Sequence, residues 1–255
     1  MDGPVVVTGA SRGIGRALAL AFAARRDKLT LCARSGAELE AVANEARASG
    51  VDVRVVRCDL ATIEGRDELV RAVQGPVAGL VNNAGFGTAG EFARQDAARE
   101  REMIRLNVEA VVDLTHAFLP RMSRGAFVVN VASTAGFQPV PLFATYSATK
   151  AFVLSFSEAL AEELAPAGIH VMALCPGVTE TGFQRVADVE MSGPTASAED
   201  VAKFAVRALK KRRRVAIHGT RNALLIQSQR FAPRTVVVKI ARRFMEPWFR
   251  LRHPP

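Results

Sequence analysis

The 255-residue chain contains one tyrosine and 14 phenylalanines, and that tyrosine, Tyr146, stands four residues before Lys150. In a helix this spacing sets both side chains on one face. A cationic amine beside a phenol favours the phenolate and draws the phenol pKa, about 10 in isolation, downward. Such a phenol can give a proton to a carbonyl oxygen, or take one from an alcohol, as a hydride moves to or from carbon. Ser133, earlier in the chain, offers a hydroxyl to the same oxygen. Asn107, on a long helical stretch, is placed to hold a water linking Lys150 to solvent. Taken singly, each also reads as ordinary structure: an amphipathic core phenol, a solvated lysine, a turn serine, a helix-kinking asparagine.

A hydride needs a carrier, and the segment Thr8-Gly9-Ala10-Ser11-Arg12-Gly13-Ile14-Gly15 suits one. It follows an apolar strand and opens a helix, so Gly9, Ser11, Arg12, Gly13, Ile14 and Gly15 can cradle a pyrophosphate at the positive helix end. The spacing is G-x-x-x-G-x-G. Where NAD-binding folds place an acid after the second strand, this chain has Ala33 followed by Arg34. A guanidinium there grips the 2′-phosphate of NADP, and Arg12 adds a second positive contact. The expected cofactor is therefore NADP(H), with NAD(H) as the alternative. Asp59, with Leu60 beside it, is placed for the adenine, although an Asp there can equally start a helix. Asn82-Asn83-Ala84-Gly85 ends the next strand, and Asn83, Ala84 and Gly85 let backbone approach the adenosine ribose.

Strands and helices alternate so as to position these groups. Val5–Thr8, Leu29–Cys32, Val53–Cys58, Gly79–Asn82, Phe127–Ala132, His170–Cys175 and Val215–His218 read as strands. Helical periodicity covers Gly13–Arg25, Ala37–Ser49, Asp67–Val73, Arg99–Met122, Ser147–Ala165 and Ala198–Lys211. This pattern implies an α/β, Rossmann-type doubly wound parallel sheet with helices on both faces. Ligands of such sheets collect at the carboxyl ends of the strands. The segment Val178–Thr195 lacks periodicity and suits a lid or substrate loop, or a disordered excursion.

Composition narrows the class. No apolar run is long enough to span a membrane and no secretory signal pattern precedes the first strand, so a cytoplasmic protein is expected. Cys32, Cys58 and Cys175 lack metal-ligand spacing and read as buried, reduced thiols; no metal site is expected. Net charge is +9, but residues 203 to 255 hold 15 lysines and arginines against one acid, whereas residues 1 to 202 hold 19 against 24.

With these motifs in hand, the chain resembles the short-chain dehydrogenase/reductase family over residues 4 to about 218. The resemblance rests on TGASRGIG at Thr8–Gly15, NNAG at Asn82–Gly85, Asn107, Ser133, YSATK at Tyr146–Lys150 and PGVTET at Pro176–Thr181. It implies a seven-stranded sheet and a catalytic tetrad of Asn107, Ser133, Tyr146 and Lys150. It also implies that Lys150 binds the nicotinamide ribose beside Tyr146, and that Pro176, Gly177, Thr179 and Thr181 flank the carboxamide and phosphates. Phe86, Phe137, Gln138, Val140, Leu142, Phe143 and Phe183 are expected to face substrate, or else to close the core beneath the loop. A hydrophobic carbonyl or alcohol substrate follows, with no lysine or arginine between Ser133 and Thr145 to hold an anion.

Residues 1–218 thus read as the catalytic domain and 219–255 as a basic amphipathic extension, similar to that of fatty-acyl and steroid ketone reductases. It puts the usual tetramer interface in doubt, although a homo-oligomer (dimer or tetramer) is expected. Across Arg230–Arg252, basic residues interleave with Phe231, Val236, Val237, Val238, Ile240, Phe244, Met245, Trp248 and Phe249. Core or subunit packing ranks first for this stretch, a peripheral anionic membrane contact second and nucleic acid last. The rival to a carbonyl reductase is a nucleotide-sensing or membrane-associated binding protein on the same scaffold.

Overall fold

The computed structural model describes residues 3–187, 189 and 195–250. Seven strands, β1 Val5–Thr8, β2 Leu29–Ala33, β3 Val53–Arg57, β4 Gly79–Asn82, β5 Phe127–Val131, β6 His170–Cys175 and β7 Val215–Ile217, form one all-parallel sheet in the order β3-β2-β1-β4-β5-β6-β7. These are the expected strands to within a residue. Their valine-rich runs suit a pleated surface buried on both sides.

The two faces are covered by different helices. On one, α1 Gly13–Ala23, α2 Gly36–Arg47 and α8 Ala198–Lys210 pack Leu18, Leu39 and Val201 against Val5, Val7 and Leu31. On the other, α3 Ile63–Ala72, α5 Ala110–Phe118 and α6 Ala144–Glu163 pack Leu69, Leu114, Phe118 and Leu160 against Val6 and Leu80. Alternate strand residues serve opposite faces, as a period of two requires. Fully buried Phe22 and Phe118 each contribute about 1.5–3 kcal/mol through burial.

Two expected helices differ in ways that matter. The third starts at Ile63, not Asp67, because Thr62 caps it by accepting from the Gly65 amide at 3.1 Å. The expected helix Arg99–Met122 is α4 Ala97–Ile104, a π-helical turn Arg105–Glu109, α5, and a 3₁₀ turn Leu119–Arg121 carrying Pro120. The π turn inserts an extra residue at Asn107, a device common at functional sites.

After β6 the aperiodic segment contains a short helix, α7 Phe183–Ala187, and a bridge between Thr179 and Ala196; residues 188 and 190–194 lie outside the described residues. Beyond β7 the extension forms α9 Thr220–Ser228 and α10 Arg234–Arg250. The side chains of Trp248 and Phe249, and residue Arg252, lie outside the described residues. Among the described residues, no helix is long and apolar enough to cross a membrane, and no cluster of His, Cys, Asp and Glu could hold a metal.

Candidate active site

Strand order reverses between β1 and β4, and a ligand crevice opens there. Gly9 and Gly13 adopt φ of +64° and +54°, which L side chains rarely occupy. A Cβ on Gly15 would lie 2.2 Å from the Gly9 carbonyl oxygen. The loop therefore hugs the start of α1, whose N-cap residue Arg12 makes no side-chain capping bond. Uncapped first-turn amides at the positive helix end fit a pyrophosphate. Thr8 ties this loop to β4: its hydroxyl accepts from the amides of Asn83 at 2.9 Å and Ala84 at 3.0 Å. Asn83 Nδ2 returns bonds to the carbonyls of Thr8 and Gly9 at 2.9 and 3.2 Å. Its neighbour Asn82 turns inward and donates to Asn130 Oδ1 on β5 at 2.8 Å.

At one end of the crevice Arg34 is half-exposed and already paired. Its Nη1 lies 3.0 Å from Glu102 on α4 and 3.8 Å from Asp59. Asp59 does not cap α3; its Oδ1 accepts from the Ala61 amide at 3.0 Å, shaping the loop beneath Arg34. Arg57 donates from Nε to the Arg34 backbone carbonyl at 3.2 Å and so braces the turn that carries Arg34. Neither Glu102 nor Arg57 was expected at the site. Glu102 comes from a helix distant in sequence, whereas Arg57, at the end of β3, had a weak signal in its strand-end position. Nearby, Cys32 and Cys58 place their sulfurs 3.1 Å apart, and all three cysteines are buried and free, as expected.

At the other end, Tyr146 and Lys150 occupy the first turns of α6 and both face the crevice, with Lys150 Nζ 5.8 Å from the phenol ring centroid. Lys150 donates to the Val131 carbonyl at 2.8 Å. Ser133 lies two residues beyond β5, where its hydroxyl caps a 3₁₀ turn by accepting from Ala135 at 3.1 Å. Asn107 does not line the cavity. Its amide is spent on both backbone groups of Phe86, at 3.1 and 2.9 Å, and on Thr149 Oγ1 at 3.1 Å. Its direct action here is to clamp the NNAG loop to α6.

The electrostatics correct one expectation. Burial pushes the Tyr146 phenol up to about 12, and a hydrogen bond with Ser133 only partly opposes it. Desolvation, not the neighbouring lysine, dominates, because a phenolate in an apolar wall has lost its water. Burial also lowers Lys150 to about 8, opposed by Cys175. At neutral pH the phenol therefore carries its proton.

One cavity of about 710 Å³ is lined by the glycine loop, Arg34, Asp59, Leu60, Asn83, Ala84, Gly85, Ser133, Tyr146, Lys150, Pro176, Gly177, Thr179 and Thr181. Of the expected substrate-facing residues, Phe86, Gln138, Val140, Phe143 and Phe183 line it. Phe137 packs instead with Val111, Ala132 and Val153, and Leu142 turns out of the cavity at φ +67° to pack beside Val140 and Phe143. Phe183 lies 5.1 Å from the Tyr146 ring. The sequence reading missed the extension's contribution: Leu225, Val237, Ile240, Ala241, Phe244 and Met245 line the same cavity. Periodicity marked α10 as amphipathic but could not say what its apolar face covers.

Comparison with known proteins agrees with this geometry. Residues 4–191 match the family described as short chain dehydrogenase. The ketoacyl reductase HetN of Nostoc sp. is 33% identical over 218 residues, covering 82% of this chain and 75% of that protein. A short-chain dehydrogenase from Sphingobium yanoikuyae in complex with NADPH superposes with a TM-score of 0.81 at 32% identity, over 89% of this chain and 93% of that one. One from Burkholderia phymatum in complex with NAD gives 0.80 at 28% identity, over 89% and 92%.

Proposed function

Because the chain belongs to the short-chain dehydrogenase family, we propose that it is an NADP(H)-dependent carbonyl reductase acting on a hydrophobic ketone or aldehyde, reversibly giving the alcohol. The family is an oxidoreductase family; cofactor choice, substrate and residue roles are inferred from this chain's own site. One observation carries the reading: Tyr146, Ser133 and Lys150 line the same cavity as the glycine loop.

The nicotinamide cofactor, when bound, supplies or receives the hydride. Gly9 to Gly15 would hold its pyrophosphate, Asp59 and Leu60 its adenine, and Asn83 to Gly85 the adenosine ribose. Lys150 and Tyr146 would hold the nicotinamide ribose, with Pro176, Gly177, Thr179 and Thr181 around the carboxamide. Arg34, with no acid at Ala33, supports NADP(H) over NAD(H).

Tyr146 gives its hydroxyl proton to the substrate oxygen as negative charge develops there, and Ser133 hydrogen-bonds the same atom. Lys150, charged below about pH 8, steadies the phenolate left behind. Asn107 keeps the loop and α6 in register. Phe143 and Phe183 flank the phenol, with ring centroids 6.1 and 5.1 Å from its own. Buried thiols suit a cytoplasmic enzyme, and a homo-oligomer is the expected working form.

The test is NADPH oxidation followed at the nicotinamide absorbance band across a panel of hydrophobic ketones. Tyr146→Phe is expected to lose about 10³-fold in kcat. Equal turnover in the variant refutes the assignment. Tight NADPH binding with no turnover across the panel assigns the chain to nucleotide sensing instead.

A further inference from the structure

Eleven large apolar residues are exposed among the described residues, and six of them fall between Leu224 and Phe244. Phe231 is 90% exposed, Leu224 72% and Phe244 70%. Contiguous exposure of this kind marks an interaction surface. The same stretch is extreme in charge: between Asp200 and Glu246 the chain has 13 lysines and arginines and no acid.

The surface of α10 is ordered around its axis. At about 3.6 residues per turn, Val237, Ala241 and Met245 form one stripe, which lines the cavity. Val236, Ile240 and Phe244 form the adjoining stripe, turned further outward and exposed. Lys239 and Arg243, both exposed, flank that stripe on its far side. The sequence of body contact, exposed apolar stripe and cationic edge is what a helix lying in a membrane interface presents.

We propose that α9 and α10 dock this protein on an anionic lipid surface, with the cavity mouth turned toward the bilayer. Two alternatives fit less well. A second copy using the same face would set basic edges against each other across a two-fold axis. A nucleic acid would satisfy the arginines and leave Leu224, Phe231, Val236 and Phe244 in water. An anionic bilayer takes both, because its headgroups pair with the cations and its acyl region covers the apolar stripe. Leu225, Ile240 and Phe244 are exposed and also line the cavity leading to Tyr146. A ketone dissolved in the bilayer therefore meets an apolar path to the phenol.

The test uses the full chain with vesicles of phosphatidylcholine, alone or with about 30% phosphatidylglycerol, the latter to give an anionic surface. Sedimentation with the anionic vesicles is expected to exceed that with the neutral ones by at least about tenfold, and to fall with salt. The double variant Lys239→Gln/Arg243→Gln should weaken partitioning about 25-fold, roughly fivefold per charge. Leu224→Ser/Phe231→Ser should weaken it at least about tenfold. Neither residue of that second pair lines the cavity, so its turnover of a water-soluble ketone and its melting temperature should match the wild type. That turnover assay reports the catalytic reading separately, so the two proposals can fail independently. Partitioning absent at low salt, or present and indifferent to both double variants, overturns the docking proposal. So does a dimer lost in Leu224→Ser/Phe231→Ser without vesicle binding, or duplex DNA binding that this variant keeps while vesicles are ignored.

Discussion

In the proposed reading the preference for NADP(H) rests on Arg34, which is paired with Glu102. A guanidinium gripping a phosphate gains charge-assisted hydrogen bonds of about 1.5–3 kcal/mol each. Arg34 is half-exposed, so solvent screening reduces that gain. It must also leave Glu102, 3.0 Å away, giving up about 0.5 kcal/mol typical of an exposed pair. The net is about 2 kcal/mol, so Arg34→Ala should weaken NADPH roughly 30-fold while moving NADH less than about threefold. Glu102→Gln works the other way. It frees the guanidinium and removes a carboxylate that repels the phosphate, so NADPH should bind about two- to fivefold tighter, with NADH unchanged. Titration of cofactor fluorescence with both nucleotides, at low and high salt, measures all four numbers. Equal losses for the two nucleotides in Arg34→Ala refute the phosphate role. Weaker NADPH binding in Glu102→Gln refutes the competition and makes Glu102 a support for Arg34.

Gly15→Ala should cost at least about 2 kcal/mol and more than about tenfold in NADPH affinity, since its Cβ would sit 2.2 Å from the Gly9 carbonyl; an unchanged melting temperature refutes the close approach. Lys150 titrates near 8 in the fold and near 10.5 when unfolded, so between those values the unfolded chain holds a proton that the native state has released. Wild-type stability relative to Lys150→Met should therefore rise with pH from about 8 to 10.5 and stay flat below; a flat difference throughout contradicts the burial. Gln138 lines the cavity with its Oε1 buried and unpartnered. Gln138→Leu should lower kcat/KM about tenfold for ketones bearing a hydroxyl or amide donor and spare those without one; equal effects on both sets argue against a substrate contact.

Much of this site could be read from the chain because its signals are local. A glycine that needs positive φ, as at Gly9 and Gly13, leaves its mark at one position, and Tyr146 and Lys150 share a face through helical spacing alone. Valine-rich strands alternating with amphipathic helices fixed the sheet and its covered faces, because period and burial are properties of neighbouring residues. What depended on long-range packing stayed hidden. Asn107 stands out in the sequence, but that its amide is spent on Phe86 and Thr149, away from the cavity lining, is set by how α4 and α5 meet the NNAG loop. Phe137 and Leu142 read like Phe143, yet backbone direction sends them elsewhere.

By itself the sequence determined the family and the sheet, and it singled out the glycine loop and Tyr146 as candidates for the nucleotide and the proton. Only the tertiary structure decided three things: that burial raises the Tyr146 phenol despite the nearby Lys150, that Arg34 is shared with Glu102, and that α10 walls the cavity holding Tyr146. The physical reason is common to all three. Desolvation, ion pairing and shape complementarity depend on which surfaces the folded chain brings together, and residue spacing carries that information only within a single element.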